Sequence, residues 1–303
     1  MDNTTQIARR SLLRFLQESR FAERFPPRSP PPAIEAQVRE IVRSWKLNIP
    51  ENTHEKHLIV GVHFGYAAYQ HTPYAVQIAV ALFTFCATMF DSGVVDDMQA
   101  LREFIPRFCA GQPQLHPILT QFIATVGALR EFLPEYSANL VYPSMMSYAN
   151  EELYCWKGAN ELTLQAESGS YIEYSRLKSG MPEPFIACIW PHTMCPDVGE
   201  YVQAFPEAIL FVNYVNDLMS FYKEELEGDE SSYVRRYSHV HGKNLEESVD
   251  DLIENIVRAV ERVRKILGEG SAREAWEDFA SGYVHFHLYC ARYRLKEVVP
   301  EYF

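Results

Sequence analysis

The sequence predicts an all-α fold in one large domain, and three observations carry that prediction. Apolar residues recur at helical spacing near both ends of the chain. Val38, Ile41, Val42 and Trp45 fall at i, i+3, i+4 and i+7, and Ile253, Ile256, Val257, Val260, Val263 and Ile266 repeat the pattern. Sustained strand-type alternation and Asn-Gly hairpin signals are missing from the sequence. Finally, 303 residues suffice for one core that buries roughly 75% of the unfolded chain's surface.

A first helix is expected from Gln6 to Phe21, where Ile7, Leu12, Leu13, Phe15 and Leu16 are interleaved with Arg14, Gln17 and Glu18. Pro26, Pro27, Pro30, Pro31 and Pro32 follow, and a helix cannot continue through them. Residues 1–33 therefore read as an N-terminal arm with a Pro-rich extended linker, and residues 34–303 as the helical body. Leu58 to Phe90 is the most apolar long region, but His63, His71 and Gln77 interrupt it. No run of about 18 apolar residues occurs, so no membrane span is expected. Pro, Gly and polar residues cluster at Ala110–Pro117, Gly180–Pro184 and Gly228–Ser232, which marks helix ends there. The whole reads as about ten helices in a single-domain bundle.

Composition narrows the function. Lys and Arg number 28 against 40 Asp and Glu, a net charge of −12 that repels phosphate backbones and argues against nucleic-acid binding. Aromatic residues make up 13%, in excess of ordinary usage, and would fill a core or line a pocket. The six cysteines lack metal-ligand spacing and read as reduced, mostly buried thiols. With no apolar leader after Met1, the expectation is a cytoplasmic protein.

Three motifs could carry chemistry. In Asn216-Asp217-Leu218-Met219-Ser220-Phe221-Tyr222-Lys223-Glu224, the residues Asn216, Ser220 and Glu224 stand four apart. Each step of four advances a helix by about 400°, about 40° past a full turn, so all three project from one side. An amide oxygen, a hydroxyl and a carboxylate suit a hard cation such as Mg²⁺; the alternative is a solvated helix face. The second motif is Asp91-Ser92-Gly93-Val94-Val95-Asp96-Asp97, after the apolar helix candidate Ala79–Phe90. On a straight helix Asp91 and Asp96 would lie about 140° apart, so joint coordination needs a bend, which Gly93 permits. Otherwise Asp91 and Ser92 end one helix and Asp96 caps the next. The third is basic: Arg292-Tyr293-Arg294, with Arg176 and Lys178 mid-chain. The Arg fork matches phosphate oxygens. His239, His241, His285 and His287 lack the spacing of a zinc hydrolase and read as ordinary core or surface histidines.

Together these motifs resemble a class I terpene cyclase of the fungal trichodiene synthase-like branch. Val215 to Glu224 is similar to that family's Asn/Ser/Glu metal motif, and Arg292-Tyr293-Arg294-Leu295 to its C-terminal Arg-Tyr motif. The resemblance implies an all-α bundle around an apolar pocket and three Mg²⁺ ions. Asn216, Ser220 and Glu224 would hold one ion, and the acidic motif, through Asp91 and Asp96, two more. The family usually begins that motif with two adjacent acidic residues, whereas Ser92 follows Asp91 here. Arg176 falls near the family's diphosphate-sensing arginine, with Lys223, Arg292 and Tyr293 on the same anion. Gly180-Met181-Pro182 resembles the kinked helix whose carbonyl faces the reacting carbon. The cation left when the allylic C–O bond breaks needs a dry pocket and aromatic faces. Phe85, Phe90, Trp156, Trp190, Tyr214 and Phe286 are candidates for those faces.

The resulting expectation is a Mg²⁺-dependent sesquiterpene cyclase that takes farnesyl diphosphate. The alternatives are a monoterpene cyclase using geranyl diphosphate, or a non-catalytic isoprenoid-binding protein, which Ser92 would suit. A homodimer is a further implication of the resemblance.

Overall fold

The computed structural model describes residues 3–156 and 162–303, except for the side chains of Glu51 and Trp156. Among the described residues there are thirteen α-helices and no strand. They are α1 (Asn3–Ser19), α2 (Pro32–Ser44), α3 (Glu51–Tyr69), α4 (Tyr74–Asp91), α5 (Met98–Cys109), α6 (Pro117–Leu129) and α7 (Glu135–Trp156). The second half adds α8 (Gly169–Ser179), α9 (Pro182–Ala187), α10 (Phe205–Glu227), α11 (Tyr233–His241), α12 (Leu245–Leu267) and α13 (Ser271–Tyr289). The count exceeds the ten or so expected because short helices such as α9 and α11 are too brief to show a period.

Helix α4 lies at the centre, packed on α2, α3 and α6. By length and composition it could cross a membrane, but 72% of its residues are buried in the bundle, so its apolarity serves the core. Its approach to α3 requires glycine. A Cβ on Gly61 or Gly65 would overlap the carbonyl oxygens of Ala81 and Gln77 on α4. On the other side of α3, a Cβ on Gly282 of α13 would overlap the Ala67 carbonyl. Three helices thus meet backbone to backbone.

Helix α1 packs on α10 and α12 with Leu12, Phe15 and Leu16 buried. Its Arg10 and Arg14 pair with Asp250 of α12. Arg9 donates to the Val298 carbonyl (2.8 Å) and pairs with Glu301, while Arg28 donates to the carbonyls of Tyr302 and Phe303. The two ends of the chain are therefore tied together. Pro32 opens α2 as its first residue, a place where the missing N–H costs nothing. The breaks read at Ala110–Pro117, Gly180–Pro184 and Gly228–Ser232 coincide with the α5–α6, α8–α9 and α10–α11 connections.

Candidate active site

The C-terminal parts of α4, α7, α8, α10 and α13 surround a cavity of about 540 Å³. Its face on α10 is the predicted stripe: Asn216, Ser220 and Glu224 all line it, extended one turn deeper by Asn213. Helix α10 emerges from the core through Phe211, Val212 and Val215, so the stripe starts below the surface. Across the cavity, Asp91 ends α4 and lines it, with 53% of its side-chain surface open to solvent. Burial among the surrounding helices raises the Asp91 pKa, and the charges of Arg292, Lys223 and Arg176 pull it down again. Those three cations, read from distant segments, therefore converge on one carboxylate. Arg292 stands closest, 3.7 Å from Asp91 Oδ2.

Asp96 does not join them. Gly93 turns the chain with φ +71°, Val95 is buried as an anchor, and Asp96 points outward, exposed. Asp97 rather than Asp96 caps α5, accepting from the Gln99 N–H at 2.8 Å. The carboxylate that faces Asp91 is Glu152 on α7, which sequence reading missed. Burial raises its pKa to about 8, helped by Asp91 and Glu151. Its neighbour Glu151 accepts from the Ser175 hydroxyl at 2.7 Å and so ties α7 to α8.

Arg176 is largely but not fully buried on α8 and turned toward α10. Its Nε donates to both Asp217 oxygens (2.8 and 2.9 Å), and its Nη2 to the Asn213 carbonyl (3.2 Å) and to Asn216 Oδ1 (3.1 Å). Burial alone would lower the Arg176 pKa, but the Asp217 carboxylate more than offsets it. Beyond Arg176 the helix breaks at Gly180, and Met181 takes a left-handed φ of +44° before Pro182 starts α9. A Cβ on Gly180 would overlap Asn213 Oδ1 and Arg176 Nη1, so any larger residue at that break would displace both side chains. Lys223 lines the rim and pairs with Glu227 at 3.2 Å. Tyr293 is buried against the α10 stripe, its hydroxyl accepting from Asn216 Nδ2 at 3.4 Å.

Among the described residues, six carboxylates line the cavity (Asp91, Glu151, Glu152, Asp217, Glu224, Asp229) against four cations (Arg176, Lys223, Arg236, Arg292). The excess shows at Glu224, whose pKa is raised to about 7 first by burial and further by Asp217 and Asp229. Among the described residues no three His, Cys, Asp or Glu side chains gather into a metal cluster. The α10 set instead offers an amide oxygen, a hydroxyl and a carboxylate, hard oxygen donors under a local deficit of positive charge. That chemistry fits a divalent cation such as Mg²⁺.

Below the charged rim the lining turns aromatic. Phe64 touches Phe185 (5.0 Å), Tyr283 (5.8 Å) and Phe286 (5.1 Å) edge to face, and Tyr148 completes the wall of α7. Of the six rings proposed from sequence, Phe286 lines the cavity. Trp190 stacks on Tyr201 at 4.5 Å, Phe85 lies against Trp45, Phe90 among Phe104, Phe122 and Tyr148, and Tyr214 bonds Glu173. Those four are core rings, placed by packing away from the cavity. The Trp156 side chain lies outside the described residues.

A family model described as trichodiene synthase matches residues 53–302. The chain belongs to the trichodiene synthase family. Monoterpene synthase 25 of Postia placenta is 36% identical over 274 residues, covering 88% of this chain and 80% of that protein. Terpene synthase 29 of the same organism is 30% identical over 301 residues, 99% of this chain and 86% of that protein. The solved structure of linalool/nerolidol synthase from Streptomyces clavuligerus, in complex with 2-fluorogeranyl diphosphate, shares the fold. It matches with TM-score 0.65 at 17% identity, over 89% of this chain and 96% of that one. The chain is accordingly an enzyme, a terpene synthase and thus a lyase.

Within this family frame, most residues missed from sequence have no spacing relation to a motif; Asn213, one turn before Asn216 on the same face, is the exception that helical spacing could have found. Glu152, Asn213, Arg236 and His287 reach the cavity from four different helices. The pair His285 and His287, read as ordinary core histidines, divides. His285 is buried with neither ring nitrogen partnered, whereas His287 lines the cavity. Burial lowers the His287 pKa to about 4, so its ring is neutral.

Proposed function

We propose that this chain is a Mg²⁺-dependent sesquiterpene cyclase that ionises farnesyl diphosphate, releases diphosphate and lets the carbocation cyclise in the cavity. The observation that carries this reading is the meeting, over one aromatic floor, of Asp91 with Arg176, Lys223, Arg292 and the Asn216–Ser220–Glu224 stripe. Asn216, Ser220 and Glu224 would hold one Mg²⁺, and Asp91, with Glu152 beside it, would serve the other two that the family resemblance implies. When bound, the metal supplies positive charge to the diphosphate oxygens as the allylic C–O bond breaks.

The chain's own residues do the rest. Arg176, Lys223 and Arg292 would bind the same anion, Arg292 with its fork and Arg176 through Nη1, the nitrogen that Asp217, Asn213 and Asn216 leave to it. Tyr293 keeps its hydroxyl proton free to donate, because Asn216 occupies only a lone pair. Phe64, Phe185, Tyr283 and Phe286 present rings that stabilise a passing cation by roughly 0.5–2 kcal/mol each without attacking it. The same floor excludes water that would quench the cation early.

Farnesyl is the chain length implied by the family resemblance, and a cavity of about 540 Å³ lies within the usual range of small-molecule sites. A second reading, geranyl diphosphate as substrate, is favoured by the similarity to a protein named monoterpene synthase. Purified protein incubated with Mg²⁺ and each diphosphate separately distinguishes them by volatile products. A C15 product at higher kcat/KM supports the first reading, and a C10 product supports the second. No volatile product from either would remove both.

A further inference from the structure

Asn216 is the innermost member of the α10 stripe, and a primary amide has two faces that differ only in which atom stands there. The structure records three contacts to that amide. Arg176 Nη2 stands 3.1 Å from Oδ1, and a guanidinium can only donate, so the oxygen faces Arg176. On the other side Nδ2 stands 3.1 Å from His287 Nε2 and 3.4 Å from the Tyr293 hydroxyl oxygen. His287 Nδ1 lies 2.8 Å from the Tyr283 carbonyl, which can only accept, so Nδ1 carries the ring proton. Nε2 is then a bare lone pair, able only to accept. A flipped amide would set its oxygen against that lone pair and its NH₂ against Arg176.

The imidazole itself has little freedom to adjust. It is 1% exposed, with the rings of Tyr283 at 4.5 Å, Tyr293 at 4.7 Å and Phe286 at 5.0 Å around it. We propose that His287 is a positioning residue for Asn216. By accepting from the amide NH₂ it holds the amide oxygen, together with Arg176, on the Arg176 side of the cavity, where the second lone pair of that oxygen would serve a metal ion. This rests on the reading of Asn216 as a metal ligand. Partners of this kind behind a ligand commonly shift metal affinity by about 10–100-fold when removed. His287 touches neither substrate nor metal in this account; it acts through Asn216.

The test separates orientation from mere packing. A carboxylate has two equivalent oxygens, so in an Asn216→Asp background the orientation that His287 imposes loses its value. Mn²⁺ binding to the full chain with inorganic diphosphate, followed by electron paramagnetic resonance, is measured in the unaltered protein, His287→Phe, Asn216→Asp and the double variant. His287→Phe should weaken Mn²⁺ binding about tenfold when Asn216 is intact and less than about twofold in the Asn216→Asp background. An equal loss in both backgrounds, or no loss in either, overturns the proposal. Absence of Mn²⁺ binding by the unaltered protein overturns the metal reading of α10 and this inference with it. Should the Phe variant not fold, His287→Leu, which also lacks an acceptor, carries the same cycle with the same expected losses, and an equal loss in both backgrounds or none in either again overturns the proposal.

Discussion

At Asp91 the charges of the cavity meet, since Arg292, Lys223 and Arg176 all act on that carboxylate while burial works against its ionisation. Asp91→Asn removes the centre of this set and should lower turnover by about tenfold or more. Asp96→Asn should leave turnover within about twofold, because Asp96 faces solvent outside the cavity. Asp97→Ala should cost about 1 kcal/mol of stability as a lost helix cap, with turnover kept. Steady-state rates and thermal melts check the three together, and a large activity loss in Asp96→Asn would return that residue to the site. Arg292 offers a second test, since Arg292→Lys keeps the charge but loses the fork beside Asp91. It should impair turnover and weaken inorganic diphosphate binding measured by calorimetry, with Arg292→Ala worse. Unchanged values in both variants would make Arg292 a surface residue.

Among the elements, the break between α8 and α9 couples backbone to site. Gly180→Ala places a Cβ on Asn213 Oδ1 and Arg176 Nη1. It should therefore lower kcat, by about tenfold, more than it lowers the melting temperature. A variant that melts early but turns over normally would show that the break is only structural. Helices α12 and α13 carry a separate device, far from the cavity: buried Glu277 accepts from Arg264 (2.9 Å) and Arg273 (2.6 Å). Burial opposes ionisation of Glu277, but the two guanidinium groups win, so its folded pKa lies below the ordinary 4.5. A depressed carboxyl pKa stabilises the fold above the unfolded value, and that stability is lost as pH falls through the folded one. Glu277→Gln should cost about 2 kcal/mol near neutrality, and the gap to the unaltered protein should close below pH 4.5. Equal gaps at both pH values, in denaturant titrations, would contradict the assignment.

For the whole molecule, what could be read from sequence is what repeats locally. The period of α2 and α12 and the Asn216–Ser220–Glu224 stripe each lie within one element, whereas Pro32, read as part of the linker, opens α2. The deeper half of the site could not be read that way, because it is assembled across elements. Glu152 faces Asp91 from α7, His287 reaches Asn216 across 71 residues, and Phe64 meets Phe185, Tyr283 and Phe286 from other helices. The aromatic rings show the same limit: nearness to a motif in sequence selected Phe286 correctly, but also Phe85, Phe90 and Trp190, which fill the core. Membership in the trichodiene synthase family places that architecture among terpene synthases. The central claim is that the two walls and the cations act together on one diphosphate. Its most direct measurement is diphosphate release from farnesyl diphosphate, with and without Mg²⁺, in the unaltered protein, Asn216→Ala and Glu224→Gln. The account predicts release with a volatile C15 product only when Mg²⁺ is present, reduced by about tenfold or more in each variant. Release that persists in chelator, or full rates in both variants, would contradict it.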